Sequence, residues 1–234
     1  MKKSRIDAAW TGKAECGRCG IRDLVLFADL AEPDFNLIHL PIEERELDVE
    51  SVLYSAGQDG SALFTVRTGL VKLVQYLPEG TLRIVRLLGP GATAGLEALL
   101  GQPYEHSAVV LQRALVCRIP RQVVERLSTE TPRLHGQLMQ RWHGALKQAD
   151  DWLTGLSTGK TSQRLARLLL HVMDQDGNAP LFSREDLGAM LGVTTVHASR
   201  TVAEFKRNGV LREPKSGRCI CDRARLECIA TAEC

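Results

Sequence analysis

The chain has 234 residues, a formal net charge of +2, 44% hydrophobic residues and 25% charged residues. That length holds two domains with real cores, and the composition is that of an ordinary soluble protein. No apolar run reaches membrane-spanning length and no signal peptide is visible, so a cytoplasmic protein without a membrane partner is expected. With so small a net charge, any polyanion must be bound by a local basic patch. Seven cysteines without a secretory signal argue for reduced thiols, metal ligands or redox sensing rather than structural disulfides.

Residues 1–15 are polar and aperiodic, which reads as a loose tail. Cys16-Gly-Arg-Cys19 follows, and residues 1–20 form an N-terminal cysteine-containing segment. A short helix is expected over Ile21–Ala28. From Leu47 to Cys117 the pattern turns to short β-rich runs, LFTVRTGLVKLVQYL, TLRIVRLL and SAVVLQRALVCRI. They are broken at Gln58-Asp59-Gly60, Pro78-Glu79-Gly80 and Gly89-Pro90-Gly91. This predicts a small cupin-like β-roll within a sensor domain of residues 21–120.

After Pro120 the texture is helical. Leu138, Trp142, Ala145, Ala149, Trp152 and Leu156 step by 4, 3, 4, 3, 4, a heptad seam, with Met139, Leu146 and Leu153 as a second stripe beside it. The seam predicts a dimerisation helix within residues 121–158 and a homodimer. Gly155, Ser157, Thr158 and Gly159 form an expected hinge.

In the remaining segment, residues 159–234, SQRLARLLLHVMDQ reads as an opening helix. The stretch from Ser183 to Gly209 then reads as two short helices joined by a tight turn. Ser183 caps the first helix, with Asp186 as its partner, and Leu187, Met190 and Leu191 give it an apolar face. Gly192 suits the left-handed position that ends a helix. Thr194 or Thr195 caps the second. Val196, Val202 and Phe205 are expected to point partly inward, leaving Thr195, His197, Ser199 and Arg200 on an exposed face. Lys206 and Arg207 suit phosphate contact. VLREPKSGRCICD reads as a two-stranded wing turning at Lys215-Ser216-Gly217, where Cys219 and Cys221 share one face. Lys206, Arg207, Arg212, Lys215, Arg218, Arg223 and Arg225 supply the basic patch. The fold class is therefore α+β, ending in a winged helix-turn-helix, and double-stranded DNA is the expected partner.

A roll, a long helix and a winged helix-turn-helix, in that order, resemble the CRP/FNR family of bacterial transcription regulators. The resemblance runs over nearly the whole chain and is marked by LFTVRTGLVKL, LLGPGATAGLEALLG and VTTVHASRTVAEFKRNG. It implies a homodimer acting with RNA polymerase. In the cyclic-nucleotide branch a Gly-Glu pair opens the phosphate cassette and an Arg-Ser pair closes it. Here those positions hold Gly95-Leu96 and His106-Ser107, so a cyclic nucleotide is not the expected effector.

The chain is more similar to the FNR-like branch, whose oxygen sensors carry an N-terminal Cys-x-x-Cys and a distant cysteine in a Val-Cys-x-Ile-Pro context. Cys16, Cys19 and Cys117 match these positions, and in that family such thiolates hold an iron–sulfur cluster. The family's next cysteine falls at Val25, so a fourth ligand would have to come from elsewhere, for example Asp23 or Asp29. A thiol switch in which Cys16 and Cys19 form a disulfide, and haem bound through His39 or His106, are the alternatives. His135, His143 and His171 read as packing or helix-surface residues. Cys228 and Cys234 carry no readable signal.

The resemblance also assigns the reading residues. Members of the family present a Glu where this chain has Val196, which can only touch a thymine methyl. Ser199 and Arg200 match the family's Ser-Arg pair. Thr195, Val196, His197, Ser199, Arg200 and Lys206 are thus the expected DNA contacts. The expected site is two-fold symmetric, with half-sites similar to TTGAT about 10 bp apart and a weakened G·C preference. A cupin-like metal enzyme is disfavoured, because residues 47–117 hold one histidine, His106.

Overall fold

The computed structural model describes residues 26–30, 32–214 and 218–231. Cys16, Cys19, Asp23 and the wing tip Lys215-Ser216-Gly217 lie outside the described residues. The described residues form two compact units: those up to Gln75 together with Val85–Lys147, and Tyr76–Ile84 together with those from Gln148 onward.

The first unit is built on one antiparallel sheet. Its strands are β1 (Glu43–Leu47), β2 (Val52–Tyr54), β3 (Ala62–Tyr76), β4 (Leu82–Leu88), β5 (Thr93–Ala94) and β6 (Ser107–Pro120), in the order β1-β6-β3-β4. β2 pairs with β6, and β5 pairs with β3. Strand β6 shows how the sheet serves two cores. Ala108, Val110, Ala114 and Val116 alternate onto the inner face, among Tyr54, Phe64, Val66 and Tyr104. Cys117 and Ile119, one residue out of phase, turn to the other face. There they meet Leu26, Phe27, Leu30, Val123, Val124 and Leu127. Leu26–Asp29 form a turn instead of the end of the expected helix, and a 3₁₀ helix follows over Glu32–Leu37.

The helical stretch after Pro120 is two helices, α1 (Arg121–Glu130) and α2 (Pro132–Leu156). The break has a local cause. Thr131 precedes a proline, whose ring disfavours helical backbone in the residue before it. Thr131 is accordingly extended, with φ −133° and ψ 117°. Pro132 then starts α2 at a position where its missing N–H costs nothing. At 25 residues α2 is about 37 Å long. It runs through Gly155, so of the expected hinge residues Gly155 lies within the helix and Ser157, Thr158 and Gly159 follow it.

The second unit holds α3 (Thr161–Val172), β7 (Asn178–Pro180), α4 (Arg184–Leu191), α5 (Thr195–Arg207), β8 (Leu211–Arg212), β9 (Arg218–Cys221) and α6 (Arg223–Thr231). The opening helix ends at Val172, short of the expected Gln175, and Asp174 instead caps a turn by accepting hydrogen bonds from the amides of Asp176 and Asn178. That turn leads into β7, which makes the wing a three-stranded sheet in the order β7-β9-β8. Pro180 is tolerated there because β7 is an edge strand.

Candidate functional site

The helix-turn-helix is set by local chemistry. Ser183 Oγ accepts from the Asp186 amide at 2.9 Å and donates to the Asp186 carboxylate at 2.8 Å. Gly192 closes α4 in the left-handed conformation at φ 65°. Gly188 permits close approach of the turn, since a Cβ there would lie 2.8 Å from the Val193 carbonyl oxygen. Thr194, not Thr195, caps α5, its hydroxyl accepting from the His197 amide at 3.3 Å.

Ala198, Thr201, Val202 and Phe205 bury the inner face of α5. Thr195, Val196, His197 and Arg200 are exposed and Ser199 is half-buried. Val196 is 60% exposed. This corrects the expectation that it points inward: Thr201 takes the core position, with its hydroxyl satisfied by the His197 carbonyl at 3.0 Å.

Lys206 lies on the exposed side as well, but it is paired with Glu213 at the start of the wing turn. Arg184 at the start of α4 donates to the same carboxylate at 2.8 Å. Burial alone would raise the Glu213 carboxyl. Hydrogen bonds from Lys206 and Arg184, and their charges, outweigh it and hold the group below the usual carboxylate range. The sequence gives no periodic signal for this bridge, because it joins two helices to a loop. Of the basic patch, Arg218 pairs with Asp174 at 3.0 Å and Arg225 with Asp222 at 3.4 Å. Arg200, Arg207 and Arg212 are exposed and pair with no carboxylate among the described residues.

Along α2 the expected seam residues differ in exposure. Leu138 is 6% exposed and belongs to the core cluster around Cys117 and Val124. It is therefore packed as a core residue of its own unit. Ala145, Ala149 and Trp152 are half-buried, and Leu156 is buried. The apolar residues on the outer face are Met139, Trp142, Leu146 and Leu153, at 51%, 36%, 62% and 65% exposure. With Ala149 they step by 3, 4, 3, 4, a heptad stripe one position round from the one expected.

Inside the roll, Tyr54 stacks on Tyr104 with ring centroids 3.9 Å apart and meets Phe64 at 5.5 Å. The Tyr104 hydroxyl donates to the Ala62 carbonyl at 2.7 Å and accepts from the Ala62 amide. Burial, reinforced by the charge of Glu97, pushes the Tyr54 hydroxyl far above its usual range. Leu96, at the position of the family's ribose carboxylate, is buried in the core. Burial lowers the His106 imidazole and Arg86 lowers it further, which favours the neutral ring. The Ser107 hydroxyl is already engaged, accepting from the Ala56 amide at 2.9 Å.

Cys117 is 8% exposed in the cluster that also takes Leu26, Phe27 and Leu30. Asp29, a candidate fourth ligand, has its carboxylate held by the Gln137 side chain of α2. Arg141, one turn further along α2, donates to the Gly91 carbonyl at 3.2 Å. His39 is exposed. Among the described residues no group of three or more His, Cys, Asp or Glu is placed to hold a metal ion.

A β-roll followed by a capped helix-turn-helix with a wing defines a DNA-binding regulator of two units. Residues 44–131 match the cyclic nucleotide-binding domain, and residues 163–229 match the Crp-like helix-turn-helix domain. The two matched domains, in this order, are those of a CRP/FNR-type DNA-binding transcription regulator, and the curated relatives that the chain resembles are FNR-like regulators. This is a family of regulators and not of enzymes, which sets the cupin-like enzyme aside.

The chain is 26% identical over 205 residues to the fumarate and nitrate reduction regulatory protein of Vibrio cholerae, covering 84% of this chain and 82% of that one. It is 25% identical over 219 residues to the regulatory protein HlyX of Actinobacillus pleuropneumoniae, covering 88% and 91%. Among solved structures it is similar to FixK2 of Bradyrhizobium japonicum, with a TM-score of 0.72 at 23% identity over 81% of this chain and 98% of that one. At that identity the likeness speaks for the fold alone.

Proposed function

We propose that this regulator is a homodimer that senses redox state, oxygen or nitric oxide, and that Cys16, Cys19 and Cys117 are the thiolates of its sensor. One observation carries the reading. Cys117 lies on the outer face of β6, buried in the same cluster as Leu26, Phe27 and Leu30. Leu26, in the same cluster as Cys117, follows Cys19 by seven residues in the sequence. The names of the relatives in Vibrio cholerae and elsewhere, which describe fumarate and nitrate reduction, support the same branch.

These thiolates are soft anionic donors and suit iron. An iron–sulfur cluster on them would supply reactivity toward oxygen or nitric oxide. Asp29 is disfavoured for that role because Gln137 already holds it. A cyclic nucleotide is a poor effector for this roll: stacked tyrosines fill the interior, Leu96 carries no carboxylate and His106 favours the neutral form. Two copies pairing along Met139, Trp142, Leu146, Ala149 and Leu153 would place two recognition helices on a symmetric site, with half-sites about 10 bp apart. Thr195, Val196, His197, Ser199 and Arg200 face the major groove in this reading, and Lys206 reaches phosphate once released from Glu213. RNA polymerase is the further partner.

The test is an anaerobic preparation examined by absorbance and by iron and sulfide assay, before and after air. A brown protein that bleaches supports the cluster. A sharp Soret band replaces it with haem, and a colourless protein whose Cys16 and Cys19 become linked on oxidation replaces it with a thiol switch.

A further inference from the structure

The wing holds a second pair of thiols that the sensing reading does not use. Cys219 and Cys221 lie on β9, with Ile220 between them exposed on the opposite face. Both cysteines are buried, their sulfurs are 3.9 Å apart, and neither is in a disulfide. β9 is the central strand of its sheet: Cys219 is registered against Ala179 of β7, and Cys221 against Leu211 of β8. The backbone between the thiols is thus fixed from both sides.

That geometry is poor for a disulfide. Two residues along a strand span about 6.6 Å between Cα atoms, at the upper edge of the disulfide range, and their Cβ bonds run side by side where a disulfide needs them to converge. It suits a bridging metal better. A d10 metal–sulfur bond is about 2.3 Å, so two of them span at most about 4.6 Å. The observed separation falls within that reach. Zinc would require two more ligands in a tetrahedron, and no group of three or more His, Cys, Asp or Glu exists among the described residues. The Cys219 sulfur also hydrogen-bonds to the Ala179 and Pro180 carbonyl oxygens, both at 3.6 Å, which are hard donors. Two soft thiolates in a dry, two-ligand setting select a soft monovalent cation such as copper(I).

We propose that Cys219 and Cys221 form a two-coordinate site for a soft d10 cation of the copper(I) class inside the wing of the DNA-binding unit. Binding releases the two thiol protons to solvent, forms two metal–sulfur bonds and involves no change of oxidation state. The site is independent of the sensor cysteines, and it ties metal occupancy to the strand that follows the wing tip.

The full chain, reduced and kept from oxygen, is titrated with silver(I), a redox-inert probe of the same class, against a competing chelator. Cys219→Ala, Cys221→Ala and the double variant should each bind one equivalent fewer than wild type, the same equivalent in all three. Cys16→Ser with Cys19→Ser should keep it. Equal uptake by wild type and the wing variants overturns the proposal, as does separate loss of one equivalent at each position. A measurement on an intact wing guards against misfolded variants. In the Cys16→Ser/Cys19→Ser protein, one equivalent of silver(I) should protect Cys219 and Cys221 together from alkylation, read by peptide mass spectrometry in urea that leaves the metal-free thiols reactive. Protection of neither, or of one alone, overturns it.

Discussion

Glu213→Gln should tighten DNA binding while slightly loosening the fold. The carboxylate is 19% exposed and holds two cations, Arg184 at 28% and Lys206 at 40% exposure. Partly exposed pairs of this kind are worth about 0.2–1 kcal/mol each, so the variant should lose roughly 0.5–2 kcal/mol of stability. Both cations stand on the helix-turn-helix, and the substitution also removes a negative charge from a surface meant for phosphate. Each cation released to a phosphate steepens the slope of log K against log salt by about 0.9. One or two such contacts predict a slope steeper by about 1–2, or a further ~3–12-fold loss of affinity between ~50 and ~200 mM salt. Fluorescence anisotropy on any duplex reads this, because phosphate contacts do not depend on sequence. An unchanged slope would show that Glu213 restrains neither cation. The pH dependence has a definite sign. The folded carboxyl titrates below its ordinary 4.5, so its contribution to stability is present above that value and is lost as pH falls through the folded one. The stability gap between wild type and Glu213→Gln should therefore close in acid, and urea unfolding across that window checks it.

Leu146→Asp should weaken self-association and DNA binding together without unfolding the subunit. Leu138→Asp should instead cost several kcal/mol of stability, on the order of 3–5, because it buries a charge in the core cluster. Sedimentation and thermal melting separate the two, and a Leu146→Asp protein that keeps its assembly state would remove the stripe from the interface. Arg200→Ala should cost ~1–3 kcal/mol on the best site. Val196→Glu should add a preference for a C·G pair of similar size, since the new carboxylate can accept from a cytosine amine. Competition among half-site variants measures both, and a strong G·C preference already present in the wild type would contradict the role given to Val196.

The helix-turn-helix was legible because its determinants are local. Ser183, Gly192 and Thr194 act within four residues of themselves, and caps and left-handed turns need no distant partner. The roll was legible from its turns and apolar runs. The exposed stripe of α2 was not, because the helix carries two interleaved heptad stripes of similar apolarity. Which of them faces solvent is decided by the distant Cys117 and Val124, which claim Leu138 for the subunit's own core. The break at Thr131-Pro132 was legible in principle from the proline alone. The Tyr54–Tyr104 stack and the Glu213 bridge depend on where separate elements meet, and neither has a periodicity that reveals it.

The tyrosine stack has a consequence for how the molecule can be governed. A barrel that encloses a messenger is unfinished until the messenger arrives, and its melting point climbs when the guest is added. This barrel brings its own stuffing, two phenol rings clasped to each other and one of them latched to the Ala62 peptide. On the sensing proposed above, its melting curve should ignore added nucleotides, with the signal arriving at the outer face of the roll instead.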